Sequence, residues 1–142
     1  MDRMTRHGKG MRRYRGAALA EAAIVMSLLM MVTLGAIEYG WLFLKAQEIT
    51  NAARQAARVA ILPDEGAPAR ASSLITTVLG NAGLADATVT WTWGAIPGDP
   101  EGRQEVTVHV VLPTASHRIV NATFLPVPAT IGCRVTMAQE GT

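Results

Sequence analysis

Hydrophobic positions follow two different rhythms along this chain. From Ala17 to Leu44, 28 residues, the only charges are Glu21 and Glu38. That is a membrane-length apolar run, because a hydrocarbon core about 30 Å thick takes about 20 helical residues. The first proline is Pro63, so the pattern predicts one helix from near Ala17 to about Leu62. Gly35 and Gly40 weaken its interior but are tolerated in membrane spans. A rod of forty-odd residues is roughly 65–70 Å long, well beyond one bilayer core. Its second half therefore stands outside lipid. There Ile49, Ala52, Ala53, Ala56, Val59 and Ala60 recur at helical spacing, while Glu48, Arg54, Gln55 and Arg58 are polar. This half is amphipathic, and its apolar stripe needs a partner.

Beyond Pro63 the partner can be read. Asp64 to Arg70, with Gly66 and Pro68, is a turn or linker. Ala71 to Leu79 reads as a short helix with Leu74, Ile75, Val78 and Leu79 on one side, ended by Gly80-Asn81 and Gly83. Then the period becomes two. Val89, Trp91 and Trp93 alternate with threonines; Val106, Val108, Val110 and Leu112 alternate with Glu105, Thr107, His109 and Val111; Ile131, Cys133, Val135 and Met137 alternate with Gly132, Arg134 and Thr136. These are three half-buried strands. A turn-rich segment over 96–103 joins the first two, and a longer loop over 114–128 precedes the third. A small antiparallel sheet laid on the helical stripe buries both apolar faces. The expected fold class is α+β: a long N-terminal helix, a short second helix and about three antiparallel strands. The expected organisation is a basic leader over 1–16, the long helix over 17–62 with its membrane span at about 17–44, and a small domain over 63–142 packed on that helix.

Charge changes the picture at one end. Net charge is +2, yet residues 1–16 carry six Lys/Arg and one acid, whereas residues 17–142 carry seven basic and ten acidic side chains. The basic run lacks aromatic interleaving beyond Tyr14 and precedes an apolar span, so nucleic acid is not its expected partner. It reads as positive-inside topology, with the leader cytoplasmic and the rest across the membrane. A secretory signal has an apolar region of about 7–15 residues and a cut site after it. Here the block is about twice that length and runs into Leu44-Lys45-Ala46-Gln47-Glu48 without a breaker. Cleavage before the block, at Gly16, leaves the helix on the mature protein. A carboxylate at Glu21 is costly near such a span, since charges at a membrane helix centre cost about 2.5–3.5 kcal/mol.

Three stretches carry a resemblance. They are Arg15-Gly16-Ala17-Ala18-Leu19-Ala20-Glu21-Ala22, Gly35-Ala36-Ile37-Glu38-Tyr39-Gly40, and the run from Leu42 to Ala60 containing Asn51-Ala52-Ala53-Arg54-Gln55-Ala56-Ala57-Arg58. Over about residues 12–61 the chain resembles TadE-like minor pilins (pseudopilins) of the bacterial tight-adherence, or Flp, type IV pilus system. Beyond that it is similar only in the order and length of elements. The resemblance implies a pilin-like fold and cleavage of Gly16–Ala17 by a prepilin peptidase. It also implies a role for Glu21 in assembly, as counter-ion to the new amine of a neighbouring subunit. Major pilins of the system usually carry Glu-Tyr at the fifth and sixth positions and are much shorter. Here Ala22 follows Glu21 and a domain of about 80 residues follows the helix, which favours a minor component. The implied partners are membrane lipid, the prepilin peptidase, other pilins or minor pilins and the assembly platform, with no small-molecule substrate and no cofactor. The implied location is the bacterial inner membrane, with a periplasmic C-terminal domain and the pilus or cell surface after assembly. The alternative is a single-pass anchored periplasmic binding or scaffold protein that does not polymerise.

Other residues have plainer readings. Glu21 alone can be a snorkelling acid. Glu38, Tyr39 and Trp41 read as membrane-boundary residues, the two aromatics as an interfacial belt. Arg54 and Arg58 form a solvated face. His7 lies in the leader. His109 and His117 have no acidic or cysteine partner at useful sequence spacing, and Trp91 and Trp93 read as sheet core. One cysteine, Cys133, permits no internal disulfide and no zinc spacing. It reads as a core thiol, or else as one half of an intersubunit disulfide. Asn121-Ala122-Thr123 is a glycosylation sequon of little weight in a bacterial chain. No nucleophile elbow, phosphate loop or zinc-protease helix occurs, so an enzyme is not expected.

Overall fold

The computed structural model describes residues 8–100, 102–120 and 125–139, with side chains from Gly16 onward. The leader over 1–7, His7 included, and the 121–123 sequon lie outside the described residues. Among the described residues two helices and three strands follow one another: α1 (Gly8–Ala60), α2 (Ala67–Asn81), β1 (Thr88–Ala95), β2 (Gln104–Pro113) and β3 (Thr130–Ala138). This is the expected mixed α+β arrangement. The chain divides into two compact units after Glu38.

Helix α1 begins at Gly8, about two and a half turns before the expected start near Ala17. No proline interrupts residues 8–16, and single helical glycines cost only about 1 kcal/mol each. Its end is near the expected one. Ile61 still donates to the Ala57 carbonyl at 3.2 Å, and Leu62 turns tighter onto Val59 at 3.3 Å. Pro63 then biases Leu62 away from the helical region. Helix α2 starts one turn before the expected Ala71, because Pro68 sits in its first turn, where a missing N–H is harmless. Gly83, with φ of 71°, reverses the chain after α2, and Leu84 N–H closes on the Leu79 carbonyl at 2.8 Å. Buried Leu84 then packs in the core cluster with Leu79, the hydrophobic contact usual at such a helix end.

The sheet is an antiparallel meander ordered β1-β2-β3. Its register places Val89, Val110 and Cys133 in one row, Trp91, Val108 and Val135 in the next, and Trp93, Val106 and Met137 in the third. These rows line the inner face. The central strand buries Val106, Val108, Val110 and Leu112 completely, whereas their neighbours on the two edge strands are only partly covered. Trp93, expected in the core, is 42% exposed, since it lies on an edge strand near its end.

The other wall of the core is the amphipathic half of α1. Ile49, Ala52, Ala53, Ala56, Ala57 and Ala60 are buried in one cluster with Ala71, Ile75 and Leu79 of α2 and the valines of β2. Val59 only borders it. The stripe is mostly alanine, which lets neighbouring elements approach the helix backbone closely.

Candidate functional site

The first candidate region is the apolar part of α1. Helix α1 is long and apolar enough to cross a membrane. Leu19, Ile24, Leu28, Leu29, Met30 and Val32 are all exposed, and they cover every side of the helix rather than one stripe. A helix apolar all round belongs in a core or a bilayer, and this stretch is not in the core. Glu21 is an exposed carboxylate within it. Gly16 has open space where a Cβ would stand. Packing therefore does not demand glycine there, and its presence is left for another requirement to explain. Ala17 is also exposed.

The second region lies where the apolar sequence ends. Tyr39 Oη donates a short hydrogen bond to the Pro126 carbonyl. Trp41 Nε1 donates to the His117 carbonyl at 2.8 Å. One helical turn on, the Lys45 ammonium stands 4.8 Å from the Trp41 ring centroid. It donates to Glu48 Oε2 at 2.9 Å and to the Ala82 carbonyl at 3.3 Å. Two of the expected boundary residues, Tyr39 and Trp41, thus hold the loop that precedes β3. The third, Glu38, is a buried residue of the other unit. Lys45 was not singled out from the sequence. Its i,i+4 spacing from Trp41 and i,i+3 spacing to Glu48 were the available signal.

The same loop is held from a second side. His117 Nε2 lies 2.8 and 3.1 Å from the two Asp86 carboxylate oxygens, and Ser116 Oγ donates to Asp86 Oδ2 at 2.8 Å. The hydrogen bond with His117 holds the Asp86 carboxyl below the ordinary carboxylate range; partial burial opposes this and the Ser116 hydroxyl assists it. No acid lies at useful sequence spacing from His117, and the α2–β1 turn brings Asp86 to it across 31 residues. Both Ser116 and His117 address the carboxylate, so the trio has the geometry of a clasp, not of a serine activated by histidine.

Cys133 is half-buried on the inner face and donates through Sγ to the Ile49 carbonyl of α1 at 3.6 Å. Burial raises its pKa, opposed by hydrogen bonding with Thr50 and Val110 and by the charge of Arg54. A thiol so placed is a weak nucleophile at neutral pH. Among the described residues no cluster of His, Cys, Asp or Glu is placed to hold a metal ion.

An exposed helix that is long and apolar enough to cross a membrane, bearing the exposed carboxylate of Glu21, is the kind of segment a single-pass membrane protein carries. Residues 16–58 match the family described as TadE-like protein, beginning at Gly16 and spanning less than half of the chain. Over that stretch the chain is similar to the TadE-like family, consistent with a protein of the tight-adherence pilus system. TadE-like pilus proteins are structural rather than catalytic. No curated protein and no solved structure matches the chain.

Proposed function

We propose that this chain is a minor pilin of the tight-adherence, or Flp, system, processed by a prepilin peptidase and assembled into, or initiating, a pilus for surface attachment and biofilm. The observation that carries it is the exposed, all-round apolar helix with Glu21 five residues after an unpacked Gly16, inside the TadE-like stretch. Residues 1–16 are then the leader, kept in the cytoplasm by its Lys and Arg. The span covers about 17–44, and the domain lies in the periplasm. The mature form leaves catalysis to others and works through contact with other pilins and the assembly platform.

The chemistry follows from two charges. Cleavage of Gly16–Ala17 frees an α-amino group that titrates near about 8 and is mostly cationic at neutral pH. A carboxylate at Glu21 of a neighbouring subunit pairs with it in the apolar layer, so two costly charges are relieved together. A single subunit has less use for an acid at that place. The scissile bond lies within α1 as described, so the peptidase must first open that turn.

The test separates the two steps. The mass of the protein isolated from its native envelope should lack residues 1–16. Gly16→Ala should slow processing, whereas Glu21→Ala should permit processing and reduce piliation. Retention of the leader, or normal piliation in both variants, refutes the assignment and favours an anchored scaffold that does not polymerise.

A further inference from the structure

We propose that residues 116–120 form a second lipid contact, docking on the anionic headgroup layer beside the helix, with Arg118 as the headgroup ligand and Ile119 as the apolar plug. This rests on the reading of α1 as a membrane span. The apolar sequence run ends at Leu44, and Lys45 is the first cation after it, so Tyr39 and Trp41 stand at headgroup level, where such aromatics concentrate. The loop is fastened at that level. His117 gives its carbonyl to Trp41 Nε1 at 2.8 Å, and Pro126 gives its carbonyl to Tyr39. A segment bonded laterally to interfacial residues has lipid as its neighbour.

Its chemistry suits that neighbour. Ile119 is 54% exposed although it is apolar and sits on a loop, and Phe43 on the helix is 65% exposed. Residues 114–120 contain Arg118 and no acid. The nearby Asp86 is engaged by His117 and Ser116, so it leaves the cationic character of the segment to Arg118. The Arg118 side chain is only partly buried, with its Nε on the enclosed side. A guanidinium matches phosphate oxygens bidentately, and a basic residue next to an apolar one at the interface is held by anionic lipid and acyl boundary together.

The experiment uses the full chain in a Cys133→Ala background, reconstituted in phosphatidylethanolamine vesicles with or without phosphatidylglycerol. Single spin labels at Ile119→Cys, Ser72→Cys and Leu28→Cys are relaxed by oxygen, which enters lipid, and by a water-soluble nickel chelate. With phosphatidylglycerol, the label at 119 should respond more to oxygen and the label at 72 more to nickel. Arg118→Gln, or omission of phosphatidylglycerol, should lower the ratio of lipid-immersed to aqueous label at 119 roughly fivefold, equivalent to about 1 kcal/mol. A label at 119 as open to nickel as that at 72 overturns the proposal while a deep label at 28 leaves the membrane helix standing. A label at 119 screened from both reagents also overturns it, in favour of a protein partner. An unchanged ratio in Arg118→Gln removes headgroup recognition. A nickel-accessible label at 28 ends the membrane reading and this proposal with it.

Discussion

Replacing Ile49 by alanine tests whether the outer half of α1 is a wall of the core. Ile49 is fully buried between α2 and the sheet, and its carbonyl accepts from Cys133 of β3. The substitution removes three carbons, worth about 0.8 kcal/mol each in transfer. The alanines around it, Ala52, Ala53 and Ala56, are too small to collapse into the space, so a cavity cost adds to this. Buried Ile→Ala changes cost about 2–5 kcal/mol, and this site belongs in the middle of that range or above. For a folded unit of this size, about 3 kcal/mol lowers the thermal midpoint by roughly 12–24 °C. Thermal or urea unfolding in mild detergent, followed through the indole of Trp91 in the sheet, reads the effect. Leu28→Ala is the control: Leu28 is exposed, and the same measurement should move by less than about 0.5 kcal/mol. A loss below about 1 kcal/mol for Ile49→Ala, or an equal loss for Leu28→Ala, refutes the assignment of the core wall to residues 49–60.

A Cβ at Gly132 would lie 2.8 Å from the Val110 carbonyl oxygen of the paired strand, so Gly132→Ala should destabilise the sheet by about 1–3 kcal/mol, as read by the same unfolding assay. The Asp86 pKa is lowered from 3.8, chiefly by the hydrogen bond with His117. Its contribution to loop stability is therefore full above the ordinary carboxylate range and is lost as pH falls through the lowered value. A carboxyl carbon NMR titration of Asp86 should have its midpoint below 3.8, and a midpoint at or above it would contradict the clasp. Cys133 should react with a thiol reagent more slowly at mildly alkaline pH than it does after unfolding, since burial raises its pKa; equal rates in a stopped-flow assay would place the thiol in solvent.

Where local pattern decides structure, the chain could be read directly. Alternation of Val106, Val108, Val110 and Leu112 with polar residues marks β2, and the Ile49–Ala60 stripe marks the helix face that meets it. Helix ends were less legible: the change from basic to apolar at Gly16 marks a change of surroundings and not a helix start, and Pro68 reads equally as a turn residue and as a helix start. The clasp was invisible because its members are remote in sequence. Asp86 and His117 are 31 residues apart, and Trp41 and His117 are 76 apart. Trp93 shows the converse limit, since alternation assigns it to the inner face but does not reveal that this end of an edge strand is left uncovered. Gly16 and Glu21 stand out through the family pattern alone, and the structure adds that Gly16 is unconstrained by packing.

Helix α1 runs unbroken from Gly8 to Ala60 and donates its last three turns to the core. Pulling this end of the helix out of its unit therefore means opening the alanine seam against α2 and β2, where many shallow contacts share the load. A head severed at Pro63 would lose that wall and expose the valines of β2, so shear resistance and folding depend on the same dozen residues.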